Sequence, residues 1–395
     1  MENLARFLLV PELEFLNTFR LGRWGIGIKA RKHSELEVCP KCAKASRKIY
    51  DRREVRIKDE PIRNKGVVLI IEKRRFFCGH CKKPFTEPIP GISKGARTTQ
   101  RLKSAVWWAA ERFTNLSQVE KNYRCSSKFV YQSFYRQLEL KRRRNHQYPF
   151  PSQLCFDEHS FRKKKYQAVD FVTMVVDQKN RKLFELIDGK SIETLTAALK
   201  DKPGKENVKV VCMDMSTVYK GFVQQFFENA TIVADRFHVQ RLFTKLVNYH
   251  RLTATGDDRK NPIRKLLLRE KRKLKPYEKR AVTKWLNQYP AIKEVYEYKE
   301  WMHRIYRTRG YSQAKTQFVK MLDHMAKSTA TRVSTLRTTL LQWKKEILAF
   351  FTHRISNGRT EGFNRKAKLI QRASYGFKNF ENYRLKLLNA LGARL

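Results

Sequence analysis

Between residues 150 and 240, short apolar segments alternate with turns and two helical patterns, and this order strongly restricts the fold. Three of these segments run directly into an acid, namely Asp157, Asp214 and Asp235. The predicted strands are Leu154–Glu158, Val169–Val176, Leu183–Ile187, Val208–Met213 and Ala230–Ala234, and the predicted helices are Ser191–Leu199 and Val218–Phe227. A meander of three strands followed by alternating helix and strand is the order of an RNase H-like fold. In that fold the first and fourth strands are neighbours, so their ends bring Asp157 and Asp214 together.

A third acid, Glu361, stands in a basic segment that begins a predicted helix. Gly358 interrupts the preceding structure, and Ser356, Asn357 or Thr360 can each cap the new helix. Phe363, Ala367 and Ile370 form a buried stripe, whereas Glu361, Asn364 and Lys368 share a different face. Taken alone, Glu361 is better interpreted as a solvated acid on a basic helix; the two upstream aspartates instead favour a metal site that also holds phosphates.

The chain between Asp214 and Glu361 is too long for an uninterrupted RNase H-like fold. Residues from about 242 to 352 show little strand pattern, are dense in Lys and Arg, and carry Trp residues at helical spacing. We therefore predict a multidomain α/β protein whose catalytic domain, residues 146–395, is interrupted by an all-helical insertion.

Asp235 is the alternative to Asp214 as the second acid. It ends the next strand outward from Asp157, which makes Asp214 the better candidate. Asp235 and His238 form an Asp-x-x-His pair at a strand-to-helix turn. The pair either contacts the metal-binding acids or orients DNA, or it consists of an Asp that caps the next helix and a His in the core. Glu158 and His159 adjoin Asp157, but strand alternation turns Glu158 to the opposite face.

Four of the seven cysteines form two Cys-x-x-Cys pairs, Cys39 with Cys42 and Cys78 with Cys81. Two such knuckles on hairpins can bring four thiolates to one tetrahedral Zn²⁺, which predicts a zinc ribbon over residues 39–92. The alternative, two redox pairs, lacks a surrounding βαβ pattern. His80 lies inside a knuckle and is expected to be a spectator. For residues 1–38 we predict a short helix around Leu4–Phe19 and then a strand; the sequence of this segment does not indicate a function.

Residues 93–145 predict a helical DNA-binding domain. A helix, the turn around Arg124–Ser127 and a second helix with a serine cap are typical of a helix-turn-helix, although other three-helix bundles share this pattern. The exposed face of the second helix presents Ser127, Lys128, Tyr131, Gln132 and Arg136. The basic run Lys141–Arg144 is interpreted as a linker that contacts backbone phosphate.

The charge of the chain indicates a polyanionic partner. Lys and Arg number 85 and Asp and Glu 37, which gives a formal net charge of +48. Double-stranded DNA is the expected partner, because neutralising phosphates releases counterions. No apolar run reaches the roughly 18 residues of a membrane span, and no signal-peptide pattern opens the chain. A cytoplasmic, nucleoid-associated protein is therefore expected.

An all-oxygen site of Asp157, Asp214 and Glu361 suits Mg²⁺, for which Mn²⁺ can substitute. Two such ions about 3.5–4 Å apart activate an attacking oxygen and stabilise a leaving one in phosphoryl transfer. Neighbouring cations such as Arg365 and Lys368 are expected to position the DNA phosphodiester.

In six segments the chain resembles bacterial insertion-sequence transposases of the ISL-three family. The segments that carry the resemblance are Arg74–Glu87, Phe156–His159, Met213–Met215, Asp235–His238, Ser356–Asn364 and Tyr375–Phe377. The resemblance implies a zinc-binding region, a helix-turn-helix and a DDE catalytic domain with a helical insertion. It assigns the three catalytic acids to Asp157, Asp214 and Glu361, and leaves residues 1–38 unexplained.

The sequence therefore predicts a DNA transposase that binds the inverted-repeat ends of its element, cleaves strands there with Mg²⁺ and joins the freed 3′-OH to target DNA. Because two ends must be joined, a homo-oligomer on DNA is expected. A DNA-binding regulator without catalysis and a structure-specific nuclease of the same fold are the alternatives.

Overall fold

A computed structural model describes residues 12–23, 25–112, 115–145, 148–162, 170–256 and 262–393. The chain divides into two compact units. The first comprises residues 1–140 and 370–377, and the second comprises residues 141–369 and 378–395. Among the described helices, none combines the length and the apolar composition needed to cross a bilayer.

The first unit is built on a five-stranded sheet with the order β1-β2-β6-β5, in which β7 pairs with β6. Its strands are β1 (Leu13–Leu21), β2 (Gly25–Lys32), β5 (Ile49–Ile62), β6 (Lys65–Cys78) and β7 (Lys83–Thr86); β3 (Glu37–Val38) and β4 (Ala45–Ser46) form a separate small hairpin. The core is aliphatic and includes Ile28, Leu69 and Ile71. Alternate residues of β6 supply much of this core, as expected for a strand with one buried face.

The segment before Cys39 contributes two of these strands. The helix predicted around Leu4–Phe19 is wrong over its described part, because Leu13–Leu21 is a strand paired antiparallel with β2. Apolar residues at spacings of two, such as Leu13 and Phe15 or Phe19 and Leu21, suit a strand. The ring of Phe19 covers Gly27 so closely that a Cβ there would lie 2.4 Å from the ring. The strand pattern predicted after it is confirmed by β2, which pairs parallel with β6.

Three helices follow the sheet in the first unit: α1 (Gln100–Arg112), α2 (Leu116–Tyr123) and α3 (Ser127–Asn145). The Asn115 side chain caps α2 by accepting from the Ser117 amide at 2.9 Å. Arg124 ends α2 in the left-handed conformation, with φ of 50°. The turn between α2 and α3 is therefore sharp, and the Ser126 hydroxyl accepts from the Phe129 amide at 3.3 Å at the start of α3.

The second unit contains a five-stranded sheet with the order β10-β9-β8-β11-β12. Its strands are β8 (Gln153–Arg162), β9 (Asp170–Asp177), β10 (Lys182–Ile187), β11 (Val210–Met213) and β12 (Thr231–Ala234), with α4 (Ile192–Leu199) and α5 (Thr217–Phe226) between them. The first three strands form an antiparallel meander, and β8, β11 and β12 are parallel. The predicted adjacency of the first and fourth strands is confirmed.

A long helical section separates β12 from the last two helices. Its helices are α6 (Arg236–Thr255), α7 (Pro262–Leu268), α8 (Pro276–Asn287), α9 (Pro290–Arg307), α10 (Tyr311–Ala326), α11 (Val333–Gln342) and α12 (Lys344–His353). Inside it, the buried Lys299 ammonium donates to the carbonyls of Leu267 and Arg269, each at 2.6 Å. Lys299 is also 2.8 Å from the Glu300 carboxylate. A buried cation therefore satisfies carbonyls at the end of α7, which have no partner within that helix.

The chain ends with α13 (Gly358–Ala373) and α14 (Phe380–Leu391). Phe363 and Ala367 of α13 are buried, as predicted, whereas Ile370, the third residue of the predicted stripe, is only half-buried. Helix α14 packs against β10, where Arg384 forms a bidentate pair with the buried Glu185, with N–O distances of 2.8 and 2.7 Å. Lys202 lies 3.4 Å from the same carboxylate. This pair ties the C-terminal helix to the edge strand of the sheet.

Replacing Arg384 is expected to destabilise the second unit strongly. Arg384→Met leaves Glu185 buried with its bidentate partner removed, a change that typically costs about 3–5 kcal/mol of unfolding free energy. Urea denaturation of the full chain, followed by circular dichroism, measures this loss. The control is Lys273→Met, whose cation is 73% exposed and 3.8 Å from Glu270; a loss within about 1 kcal/mol is expected there. Equal stability of the two variants would contradict the prediction.

The same pair gives a pH dependence with a definite sign. Burial alone would raise the pKa of Glu185, but the hydrogen bonds and charge of Arg384 outweigh it and lower the pKa below 4.5. The stabilisation is therefore complete above pH 4.5 and is lost as the pH falls through the lowered pKa. The difference in unfolding free energy between the parent and Arg384→Met should shrink over that acidic range.

Candidate metal centres and active site

Four cysteines of the first unit converge on one point. The Sγ atoms of Cys39, Cys42, Cys78 and Cys81 all lie within 4.8 Å of one another. The Cys42 and Cys78 sulfurs are 3.5 Å apart, and a tetrahedral zinc with bonds of about 2.3 Å requires sulfurs about 3.8 Å apart. His80 is exposed and outside this group. The donor set and its spacing fit a structural Zn²⁺.

The two knuckles have matching backbones. In each, the residue after the second cysteine adopts a left-handed conformation, with φ of 57° at Ala43 and 52° at Lys82. The amide of each donates to the carbonyl of the first cysteine at 2.9 Å. The hydrogen bond from the Cys81 amide, at 3.3 Å, lowers the pKa of Cys78 to about 6.

Crowding has the opposite effect on another thiol of the cluster. Contact with the Cys42 thiol, together with burial, raises the pKa of Cys81 to about 12. Without a cation the thiols therefore cannot all ionise together, whereas a bound metal stabilises every thiolate.

In the second unit, strand register places Asp157 beside Asp214. Parallel pairing aligns Cys155 with Cys212 and Phe156 with Met213. The next residues on the two strands are Asp157 and Asp214, and their carboxylates belong to a group of ligand atoms within 4.8 Å of one another. β8 itself runs on to Arg162, so Asp157 lies at the end of its parallel pairing rather than at the end of the strand.

The closeness of Asp214 adds to the cost of ionising Asp157. Burial, and then repulsion by Asp214, raises the pKa of Asp157 to about 7. The Oδ1 atom of Asp214 is buried and accepts no aligned hydrogen bond from the described residues. A close carboxylate pair with an unsatisfied oxygen is a donor set that suits a hard divalent cation.

His238 lies between Asp214 and Asp235. Its Nδ1 atom is 2.8 Å from Asp214 Oδ1 and 3.0 Å from Asp235 Oδ2. The single Nδ1–H is aligned with Asp235, which explains why the closer Asp214 oxygen is not hydrogen-bonded. Burial opposes the charge of His238, but the contacts with Asp214 and Asp235 outweigh it and raise the pKa to about 10.

Both oxygens of Asp235 are already used within the protein. The carboxylate caps α6, accepting from the His238 amide at 3.4 Å, and its other oxygen accepts from the Asn357 amide at 3.0 Å. Asp235 is only 2% exposed. This favours Asp214, which has the unsatisfied oxygen, over Asp235 as a metal ligand.

Asn357 joins the start of α13 to the sheet. Its side-chain amide donates to the Phe156 carbonyl at 2.9 Å, and its Oδ1 accepts from the Thr360 hydroxyl at 3.2 Å. Sequence reasoning considered this residue only as a helix cap. Its role in joining β8 and β12 depends on contacts across more than 120 residues, for which the sequence carries no local pattern.

Glu361 occupies the first turn of α13 but is not in the group that contains Asp157 and Asp214. Its side chain is 54% exposed and lies 2.6 Å from the guanidinium of Arg365, four residues later. One turn further along, Asn364 contacts Asp157 directly, with Nδ2 2.7 Å from Oδ2. The helix is therefore in place beside the aspartates while the Glu361 carboxylate points to Arg365.

Two further residues belong to this region. His159 Nδ1 lies 3.0 Å from Asn364 Oδ1, and His159 Nε2 lies 2.6 Å from the Tyr383 hydroxyl. Burial, and then the charge of Lys368, lowers the pKa of His159 to about 4. His159 could have been found from the sequence, because alternation along β8 turns it to the same side as Asp157. No local sequence pattern indicates Tyr383. Glu158 faces away and lies 3.0 Å from Lys190.

The residues predicted to contact DNA are on the protein surface. Lys128, Tyr131, Gln132 and Arg136 of α3 are exposed. Ser127 is exposed as well, and its hydroxyl donates to Glu120 at 2.8 Å. On α13, the Arg365 side chain is 78% exposed, whereas the Lys368 ammonium donates to the Ser160 carbonyl and so holds α13 against β8.

A family model described as transposase, of the DDE ISL3 type, matches residues 154–387, which are more than half of the chain. The chain therefore belongs to the ISL3 family of DDE transposases, enzymes that cleave and join DNA. A second model, described as the zinc-finger of transposase IS204/IS1001/IS1096/IS1165, matches residues 35–81 and includes all four clustered cysteines.

The chain is also similar to a curated protein, the transposase for insertion sequence element IS1001 of Bordetella parapertussis. The two are 24% identical over 382 residues, which cover 92% of this chain and 90% of that protein. The similarity thus extends over both units. The zinc ribbon, the DNA transposase class and the need for a divalent metal all follow from the family and agree with the two clusters described above.

We expect about one zinc ion per chain, held by the four clustered cysteines. Cys39→Ser combined with Cys42→Ser removes one knuckle and should release the ion, because two thiolates cannot complete the tetrahedron. Elemental analysis of the purified protein measures this. The control is Cys125→Ser, whose thiol lies outside the cluster and donates to the Tyr123 carbonyl at 3.3 Å. Zinc retained in full by the double variant would refute the assignment.

Proposed function

We propose that this transposase binds the inverted-repeat ends of an insertion sequence and catalyses metal-dependent strand cleavage and strand transfer with Asp157, Asp214 and Glu361. The observation that carries the proposal is the parallel register of β8 and β11, which places Asp157 beside Asp214 with one buried oxygen unsatisfied. The five-stranded order supports an RNase H-like catalytic domain, and the helices of 236–353 support an insertion within it.

The two aspartates and Glu361 would hold Mg²⁺ ions. When bound, such ions lower the pKa of an attacking water or 3′-OH and offset charge on the leaving oxygen. Asp157 and Asp214 supply oxygens from a rigid sheet, and Glu361 supplies one from the adjacent helix. Glu361 needs only to leave Arg365 to face them. An exposed pair at i, i+4 stabilises a helix by about 0.3–0.5 kcal/mol, so this change of rotamer costs little.

The surrounding residues would fix the orientation of the side chains in this site. Asp235 fixes the start of α6 and accepts the Nδ1–H of His238, and it thereby holds the histidine beside Asp214, whose Oδ1 lies 2.8 Å from the same nitrogen. Asn364 donates to Asp157 and fixes the orientation of its carboxylate. Arg365 is exposed beside Glu361, where it would hold the phosphodiester, and Lys368 secures the helix that carries it.

End recognition would reside in the first unit, through the zinc ribbon and a helix-turn-helix formed by α2 and α3. The exposed side chains of Lys128, Tyr131, Gln132 and Arg136 would face the major groove, with Ser127 at the start of the helix. Because transposition joins two ends, a homo-oligomer would assemble on the DNA. The net charge of +48 supports extensive phosphate contact.

We expect Asp157→Ala, Asp214→Ala and Glu361→Ala each to abolish cleavage and strand transfer while leaving binding to the ends nearly unchanged. The acids act on the scissile phosphate, whereas recognition depends on the first unit. Cleavage of a labelled inverted-repeat duplex with Mg²⁺, and gel shift of the same proteins, measure the two properties. Asp235→Ala should lose about 10–100-fold in cleavage, as is typical for groups that orient ligands.

The matched control for these variants is Glu158→Ala. This acid adjoins Asp157 but faces the other side of β8, where it pairs with Lys190, so its loss should leave cleavage close to that of the parent. Normal cleavage by Asp214→Ala with none by Asp235→Ala would reverse the choice of the second acid. Normal cleavage by all three variants would refute the assignment of these acids. No Mg²⁺-dependent cleavage by the parent would favour a DNA-binding regulator, and cleavage without end specificity or transfer would favour a nuclease.

DNA binding should weaken steeply with salt. Many phosphate contacts by Lys and Arg release counterions, so the logarithm of the affinity should fall with the logarithm of salt concentration with a slope of several units. Fluorescence anisotropy on an inverted-repeat duplex, over a series of KCl concentrations, gives the slope. A slope of about one or less would mean that the excess charge does not serve DNA binding.

A further inference from the structure

A chain of hydrogen bonds links the C-terminal helix to Asp157. The Tyr383 hydroxyl of α14 lies 2.6 Å from His159 Nε2, and His159 Nδ1 lies 3.0 Å from Asn364 Oδ1. Asn364 Nδ2 then donates to Asp157 Oδ2 at 2.7 Å. Three elements, α14, β8 and α13, are thereby connected to one carboxylate oxygen of the proposed active site.

With Asp157 ionised, one set of bond directions satisfies every donor and acceptor in this chain of hydrogen bonds. Only the NH₂ group of Asn364 can donate to a carboxylate, so its Oδ1 faces His159 and must accept. His159 therefore carries a hydrogen on Nδ1, and a neutral ring then has an unprotonated Nε2. That nitrogen can only accept, so the Tyr383 hydroxyl donates to it. This tautomer follows from the network as a whole.

The Tyr383–His159 end of this chain of hydrogen bonds is shielded from water. His159 is 2% exposed and Tyr383 is fully buried. The ring of Phe161 stacks on Tyr383, with centroids 5.0 Å apart. Each internal partner would be costly to lose, because a buried polar atom left without a hydrogen bond has no water to replace it.

Asp157 is thus held through both oxygens. Oδ1 accepts from the Glu158 amide at 3.0 Å, and Oδ2 accepts from Asn364. The first bond comes from the strand itself. The second depends on an amide that can otherwise rotate by 180°, which would turn its oxygen toward the carboxylate. The hydrogen on His159 Nδ1 opposes that rotation, and the bond between Tyr383 and Nε2 holds the imidazole ring in the orientation from which Nδ1 reaches Asn364.

We propose that Tyr383 and His159 are positioning residues: through Asn364 they fix the carboxylate plane of Asp157 for divalent metal and hold α13, with Glu361, at the correct register. This inference rests on the proposed role of Asp157 as a metal ligand. It adds two residues that touch neither metal nor DNA, and it gives the C-terminal helix a function in catalysis.

Tyr383→Phe tests the proposal, because it removes one hydroxyl and keeps the ring. With the donor gone, His159 can adopt the other tautomer and Asn364 can turn. We expect Mn²⁺ affinity, measured by calorimetry on the zinc-loaded protein, to fall about 10–100-fold. The Mg²⁺ concentration for half-maximal cleavage should rise in parallel, and gel-shift affinity for the inverted repeat should not change.

Two further variants separate positioning from a general loss of stability. Tyr219→Phe is the matched control, since its buried hydroxyl is hydrogen-bonded to that of Thr173, at 2.9 Å, rather than to a member of the chain from Tyr383 to Asp157; its Mn²⁺ affinity should equal the parent's. Asn364→Ala should weaken Mn²⁺ binding, and adding Tyr383→Phe to it should weaken binding no further, because Tyr383 acts through Asn364.

Additive losses in that double variant, or parental Mn²⁺ affinity in Tyr383→Phe with only a lower melting temperature, would overturn the proposal. Failure of the proposed function has a different signature. If Asp157→Ala binds Mn²⁺ as the parent does, Asp157 is not a ligand, whatever the Tyr383 variant shows.

Discussion

The proposed active site of the second unit depends on the closeness of two partly buried carboxylates. Asp157 and Asp214 are brought together by the parallel pairing of β8 and β11, and burial together with this closeness raises the pKa of Asp157 to about 7. Neighbouring groups donate hydrogen bonds to these carboxylates or lie beside them with opposite charge. Asn364 and the Glu158 amide hold Asp157, and His238 stands beside Asp214 with a raised pKa, its Nδ1 2.8 Å from an Asp214 oxygen that has no aligned hydrogen bond. A divalent cation bound between the two carboxylates would offset their charge.

The sheet of the second unit could be predicted because its information is local. Each strand is a short apolar run bounded by turn residues, and the order of strands and helices then restricts the topology. The cysteine cluster was predictable for the same reason, since the spacing of each pair defines a knuckle. The N-terminal helix prediction failed where Leu13–Leu21 forms an edge strand, because apolar residues in so short a segment fit both periodicities.

The remaining parts of the site depend on contacts that no window of sequence contains. Asn357 reaches Phe156, and Tyr383 reaches His159, across about two hundred residues. Rotamers are equally unpredictable from sequence: Glu361 lies on the expected face of α13, yet its carboxylate is paired with Arg365 and outside the group of Asp157 and Asp214. Sequence thus predicted the helix on which Glu361 lies, but not the direction of its side chain.

The joint between Asp235 and Asn357 has a consequence for how such chains can change over evolutionary time. The helical section leaves the sheet directly after Asp235 and returns at Asn357, and the two residues are hydrogen-bonded at 3.0 Å. Because the helical section begins and ends at two residues in contact, the number of residues it contains does not alter the sheet. The entropic cost of closing a longer loop also grows only slowly with its length. Helices can therefore be added, lost or exchanged in this section while the three-dimensional positions of Asp157, Asp214 and Glu361 are preserved.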